Sequence, residues 1–226
     1  MKHQFKVLPR MLFTLCLSLI ISTALHAEPA NLSQVRQEVK AYHDSGLYFK
    51  ELEAAIKKAQ QFIIQQAKFH KQNNPQQKLA LVLDIDETSL SNYDKMVKRD
   101  FMGTQEEIHQ EILAANSPVI EPMLALYNAA LANGIDVFFV TGRHESERNA
   151  TNINLNKAGY ANWSGLYLRP KNYKESSIIP FKSEARANIA KEGYTIIASI
   201  GDQHSDIRGG YAEKGFKLPN PYYYLP

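Results

Sequence analysis

The apolar positions of this chain follow three patterns. From Leu47 to Lys71, the residues Leu52, Ala55, Ile56, Ala59, Phe62, Ile63 and Ala67 recur at three- and four-residue intervals. That spacing predicts a long amphipathic helix packed on a core. A shorter helix is expected before it, capped by Asn31 or Ser33, running to about Tyr42 and broken by HDSG (43–46). The second pattern is a set of short runs that are apolar almost throughout: LALVLD (79–84), DVFFV (136–140), GLYLR (165–169) and TIIASIG (195–201). Helical patterns at about 121–134, 144–158 and 183–193 separate them. Such alternation predicts an α/β fold, a Rossmann-like parallel sheet with helices on both faces, preceded by N-terminal helices. Strands without a polar face agree, because strands of such a sheet are buried on both sides. The stretch Ser89 to Ser117 is surplus to one crossover, polar and partly helical (QEEIHQEILA), and is read as a small helical cap at about 89–117 over the strand ends.

The third pattern is confined to the start. Lys2, Lys6 and Arg10 precede the apolar run MLFTLCLSLIIS (11–22), which ends in TALHA (23–27). This predicts a signal peptide over 1–27, cleaved after Ala27, and one domain over 28–226. The run is shorter than the roughly 20 residues that span a bilayer, so no stable membrane anchor is expected. Cys16 lacks the small flanking residues of a lipoprotein site and leaves with the signal, so the exported, periplasmic or secreted, protein has no disulfide. Removal of 1–27 takes three basic residues and no acidic one, leaving 23 basic against 23 acidic. That balance gives no electrostatic case for a nucleic-acid polymer or an anionic membrane as partner. Whether the chain forms a homo-oligomer is left open.

Candidate chemistry changes the picture most at residues 79–93, LALVLDIDETSLSNY. An apolar strand runs straight into Asp84, Asp86 and Glu87. A buried strand cannot carry unpaired charge, so Asp84 and Asp86 must lie beyond the strand end, beside something positive. Ligands of open parallel sheets bind there. The second strand delivers Thr141 in VTGR, and the fourth delivers Asp202 in IGDQHSD, with Asp206 four residues on. Lys182, in FKSEAR, is placed just before a helix starting at 183. A helix–loop–helix calcium site starting at Asp84 would need Gly and Glu where Ser89 and Lys95 stand, and is excluded. Phosphate loops of the GxxxxGK[ST] or GxGxxG type and a GxSxG elbow are also absent from the sequence.

DIDET, VTGR, the lysine of FKSEAR and GDQHSD resemble the four motifs of the haloacid dehalogenase (HAD) superfamily. The flanking text, RHESERNATNINLNKAGY, LYLRPKNY, GDQHSDIRGG and FKLPNPYYYLP, resembles its secreted acid phosphatase branch. That branch holds bacterial non-specific (class B) acid phosphatases and relatives of plant vegetative storage proteins. The resemblance implies an exported Mg²⁺-dependent acid phosphatase acting on small phosphate monoesters, nucleotides among the candidates. It implies Asp84 as nucleophile and Asp86 as general acid and base. Thr141 and Lys182 would bind the phosphoryl group. The Asp84 carboxylate, the Asp86 carbonyl and the Asp202 carboxylate would hold Mg²⁺, with Asp206 behind them. Two alternatives stay open: a non-catalytic storage or binding protein on the same fold, and a phosphotransferase. Asn92, Tyr93 and Met96 are candidates for the entrance or the cap base, Lys171 competes with Lys182, and His204 is read as loop or pocket wall.

Overall fold

The computed structural model describes residues 29–225; the expected signal segment, Cys16 included, lies outside the described residues. Helix α1 (Leu32–Asp44) starts directly after Asn31. Gly46, at φ 81°, makes the reversal into α2 (Leu47–Asn73), a backbone angle that glycine adopts without steric cost. Strand β1 (Lys78–Leu83) follows. Residues 89–117 carry α3 (Tyr93–Lys98) and α4 (Gln105–Leu113), the latter opened by a reciprocal Thr104–Glu107 cap. Then come α5 (Glu121–Ala132), β2 (Asp136–His144), α6 (Arg148–Lys157), β3 (Gly165–Arg169), α7 (Ile179–Lys191), β4 (Tyr194–Gly201) and β5 (Ala212–Lys217).

The five strands are parallel, in the order β3-β2-β1-β4-β5. The alternation within β1 divides the core. Leu79, Leu81 and Leu83 face one layer, where α2 contributes Leu52, Ile56 and Ile63 and α5 contributes Leu126 and Tyr127. Ala80 and Val82 face the other layer, with Phe138, Val140 and the α7 residues Phe181, Ala185 and Ile189. Burying each such large apolar side chain contributes about 1.5–3 kcal/mol. Both faces are thus covered by helix, as the continuous apolar runs require.

Two sequence expectations change. β5, sequence AEKGFK, is a fifth strand where four were expected; it is a mostly exposed edge whose charges hide it from an apolar-run criterion and protect the sheet from further pairing. α7 begins at Ile179, with Pro180 in its first turn, so Lys182 lies inside the helix and not ahead of it.

The chain moves outward from β1 to β2 and β3, then returns to β4 on the other side of β1. The carboxyl ends of β1 and β4 therefore flank the reversal point, where a crevice opens. The stretch 89–117 leaves and rejoins the domain through a short neck. There Ser91 N–H donates to Pro118 O at 2.9 Å and Ile120 N–H to Ser89 O at 3.0 Å.

Candidate active site

The Asp84 N–H continues the β1–β4 ladder by donating to Ile200 O at 3.0 Å. Its carboxylate therefore emerges at the crevice, yet the residue is only 6% exposed. Lys182, carried in on α7 and also buried, donates from Nζ to Asp84 Oδ1 at 2.7 Å and to Asp206. One ammonium thus joins the two carboxylates. Lys171 is exposed in the β3–α7 loop, so the lysine at the site is Lys182. Asp202 follows β4 directly, and Asp206 closes the turn His204–Asp206, in which His204 is exposed. Asp206 Oδ2 accepts from Gln203 N–H at 2.7 Å. A Cβ on Gly201 would lie 2.1 Å from the Asp206 carboxylate, so only glycine leaves room for it.

Asp84, Asp202 and Asp206 each bring one oxygen within 4.8 Å of the others, all three buried. Asp202 Oδ1 accepts from Thr88 Oγ1 at 3.1 Å, and its Oδ2 from Gln203 Nε2 and Asn220 Nδ2, both at 2.6 Å. Asp206, expected behind the cluster, stands in it. The Asp86 carboxylate is elsewhere. It accepts from Arg143 Nε at 3.0 Å, from Arg143 Nη2 at 2.7 Å and from Asn92 Nδ2 at 2.8 Å. Thr141, fully buried near the end of β2, accepts the Arg143 N–H at 3.2 Å through its Oγ1. The hydroxyl proton stays available for another acceptor. Tyr93 and Met96 are buried and pack the base of the 89–117 segment, whereas Asn92 reaches Asp86 in the loop after β1.

These environments split the two aspartates. Burial pushes the Asp84 carboxyl well above its ordinary value, against the pull of Lys182, with Asp206, Asp202 and Asp86 adding repulsion. Burial would raise Asp86 too, but the charge and hydrogen bonds of Arg143, with Asn92, outweigh it and hold Asp86 below the ordinary value. Asp202 is pushed up to about 6, by burial first and Asp206 second. Glu87, next to Asp86 and 1% exposed, is pushed up to about 8 by burial and by Asp86 and Asp202. Burial works against the charge on Lys182, but Asp206 and Asp84 outweigh it, so its pKa is raised.

Five buried or half-buried carboxylates are thus set against two buried cations, Lys182 and Arg143, while a third, Arg186, donates to the backbone carbonyls of Asp206 and Gly210. Such an excess of negative charge is expensive in a low-dielectric site and fits a bound cation. The clustered oxygens of Asp84, Asp202 and Asp206 can hold one, and oxygen ligands suit a hard divalent ion.

Arg143, Glu87, Gln203 and Asn220 were missed as site residues in the sequence. Three of them had a usable signal: Arg143 lies inside VTGR, where a strand end offering a carboxylate needs a cation nearby, and Glu87 and Gln203 lie inside DIDET and GDQHSD. Asn220 is eighteen residues from its partner, at no fixed spacing.

A parallel sheet with carboxylates and one buried lysine at its carboxyl edge defines a HAD-type hydrolase scaffold. The chain belongs to the HAD superfamily, subfamily IIIB (acid phosphatase), whose family model matches residues 13–226. Among curated relatives it is 34% identical over 151 residues to the stem 28 kDa glycoprotein of Glycine max. It is also 34% identical over 148 residues to acid phosphatase 1 of Solanum lycopersicum. Each alignment covers 64% of this chain but only 59% and 58% of those relatives' own lengths, under two thirds. A solved structure, the class C acid phosphatase from Bacillus anthracis, matches with TM-score 0.66 at 20% identity, over 85% of this chain and 86% of that one. At that identity the likeness establishes the shared fold.

Proposed function

We propose that this protein is an exported, Mg²⁺-dependent phosphomonoesterase that hydrolyses small phosphate esters through an aspartyl-phosphate on Asp84. The observation that carries the reading is the pair of unlike aspartates two residues apart. Asp84 faces Lys182 inside the carboxylate cluster, and Asp86 is turned away onto Arg143.

The Asp84 carboxylate lies 2.7 Å from the Lys182 ammonium, a cation that can also bind phosphate. When its carboxylate attacks phosphorus, the bond to the ester oxygen breaks and an acyl phosphate forms. Lys182 offsets charge on the phosphoryl oxygens, and the Thr141 hydroxyl donates to one of them. A divalent ion held by Asp84, Asp202 and Asp206, with the Asp86 carbonyl as a further ligand, would lower the repulsion between anionic carboxylate and anionic phosphate. The grip of Arg143 keeps Asp86 ionised, which suits the second step, where Asp86 takes a proton from the attacking water. In the first step Asp86 must instead deliver a proton to the leaving oxygen. Acidic medium populates that protonated form, which supports an acid optimum for esters of poorly acidic alcohols. The segment 89–117, anchored at its neck, acts as the cap over this crevice.

The test is phosphate release from aryl phosphates, sugar phosphates and nucleotides by protein 28–226, with and without chelator. Metal-dependent release that Asp84→Asn abolishes is the expected result. A non-catalytic protein on the same scaffold would give no turnover with any of them. A phosphotransferase would pass the phosphoryl group to an added alcohol.

A further inference from the structure

The phosphatase reading places no role on the C-terminal segment, yet the chain is threaded back into the site there. Leu218 is fully buried and its N–H donates to Gly201 O at 2.8 Å, so the segment leaves β5 alongside Asp202. Asn220 lies between Pro219 and Pro221, which restrict the backbone on both sides. Its Oδ1 accepts from Tyr222 N–H at 2.8 Å, a local turn that aims its amide nitrogen at Asp202 Oδ2, 2.6 Å away. Gln203 ties the following residues down, accepting Leu225 N–H at 3.1 Å while donating to Asp202.

Tyr223 reaches the other aspartate indirectly. Its hydroxyl donates to Glu87 Oε2 at 3.0 Å. Glu87 Oε1 accepts the Asn92 N–H at 2.5 Å, and Asn92 Nδ2 donates to Asp86 Oδ1 at 2.8 Å. Asn92 Oδ1 in turn accepts from Ser117 Oγ at 2.7 Å, across the neck of the 89–117 segment. Glu87 holds φ at 53°, a left-handed angle that non-glycine residues adopt at a cost and that surrounding contacts must fix. Between these two polar links, the Tyr222 ring packs against Phe101 and Tyr93 of the segment, at centroid distances of 6.0 and 5.4 Å.

We propose that residues 220–223 are a positioning strap of the active site. Asn220 orients the Asp202 carboxylate for metal, and Tyr223, through Glu87 and Asn92, orients the Asp86 carboxylate. The inference rests on the phosphatase reading for Asp86, but its metal arm can be read without turnover. Outer partners of metal-ligating groups are typically worth about 10–100-fold in metal affinity or activity.

The experiment compares parent protein with Asn220→Ser, Tyr223→Phe and, as control, Tyr224→Ala at the exposed neighbour. Asn220→Ser keeps a turn-forming side chain too short to bridge to Asp202, so it spares the fold where Asn220→Ala would test it harder. The Mg²⁺ midpoint is read from the metal-induced rise in Tm, and kcat and KM from aryl phosphate hydrolysis. Asn220→Ser is expected to raise the Mg²⁺ midpoint roughly 10-fold or more. Tyr223→Phe is expected to lower kcat roughly 10-fold at unchanged KM and nearly unchanged Tm. Tyr224→Ala should match the parent. A parent-like Mg²⁺ midpoint in Asn220→Ser, a parent-like kcat in Tyr223→Phe, or an equal loss in Tyr224→Ala overturns the strap. Failure of the phosphatase reading looks different: a parent protein that binds Mg²⁺ and hydrolyses none of the esters.

Discussion

Asp84 and Asp86 are separated by one isoleucine and live in opposite surroundings. Asp84 looks into a packed cluster of carboxylates with one ammonium among them. Asp86 looks away, into the fork of a guanidinium, with its side chain 26% exposed. Strand β1 ends at Leu83, just before them, and the chain turns at Glu87, so neighbours in sequence need not share a face. The difference teaches that one loop can supply two chemistries. Crowded anions at Asp84 call for a metal and a reacting phosphate, whereas the bidentate pairing of Asp86 favours the ionised state that a general base needs.

The largest expected effect comes from exchanging each aspartate for its amide. Asp84→Asn removes the proposed nucleophile, and both turnover and the phosphoenzyme should disappear. Asp86→Asn removes only proton transfer, worth about 10²–10⁴-fold in steady turnover. With an aryl phosphate of an acidic phenol, Asp84 should still be phosphorylated and the adduct should accumulate. Acid-quenched mass spectrometry after substrate addition distinguishes them. Label in Asp84→Asn, or rapid turnover by it in undeamidated form, would show that the two aspartates are not divided in this way.

In the proposed mechanism the metal-binding carboxylates all lie on the Asp84 side. A chelator should abolish turnover, with recovery on adding Mg²⁺. Asp202→Asn should raise the Mg²⁺ requirement by about 100-fold or more, because it replaces a charged ligand with a neutral one and not merely an outer partner. Full activity of metal-free protein would leave the carboxylate cluster without a purpose in catalysis.

The Asp84 half of the comparison was largely visible in the sequence, and the Asp86 half was not. A run such as LALVLD announces a strand, the strand end announces the crevice, and Asp84, Thr141 and Asp202 each sit where a local pattern puts them, whereas Lys182 reaches the site from inside α7 and not from ahead of it. The pairing of Arg143 with Asp86 spans 57 residues and depends on how β2 continues beyond Thr141, which periodicity does not report. β5 was missed for a related reason: its partner β4 supplies the ladder, while its own residues read as solvated surface. Asn220 and Tyr223 owe their positions to the last turn of the chain, after the sheet is complete. Local pattern specifies elements and what stands at their ends. Contacts between elements far apart along the chain emerge only when the core has closed.

A gentler change probes the guanidinium. Arg143→Lys keeps a cation near Asp86 but loses the planar, bidentate grip. Asp86 should then release its proton at higher pH than in the parent. The optimum of kcat for an alkyl phosphate should move to higher pH, with peak kcat lowered by about 10-fold from looser positioning. An aryl phosphate with an acidic phenol needs little help in leaving and should show a smaller shift. An unmoved or lowered optimum in Arg143→Lys would mean that Arg143 does not set the ionisation of Asp86.

The smallest effect is on stability, and its sign separates the two halves without any substrate. Glu87 and Asp202 have folded-state pKa values pushed up to about 8 and about 6, and Asp84 is raised as well. In the unfolded chain these carboxyls ionise at about 4. Between those limits the unfolded state binds fewer protons than the folded one, so stability falls as pH rises. The contribution is fully present below about pH 4 and is lost progressively up to about pH 8. Asp86 works the other way, since its pKa is lowered: it stabilises above its unfolded value and loses that only on acidification below it. From about pH 5 to pH 8 the raised group therefore governs, and the Tm of metal-free protein should fall by about 5 °C or more. Mg²⁺ competes with protons for Asp84 and Asp202, though not for Glu87, so its stabilising effect should be larger at pH 8 than at pH 5 and should reduce the slope. Differential scanning calorimetry of 28–226 at both pH values, with chelator and with Mg²⁺, makes the measurement. A metal-free Tm that rises from pH 5 to pH 8 would show that the raised carboxyls, Asp84, Asp202 and Glu87, do not hold protons in the folded protein.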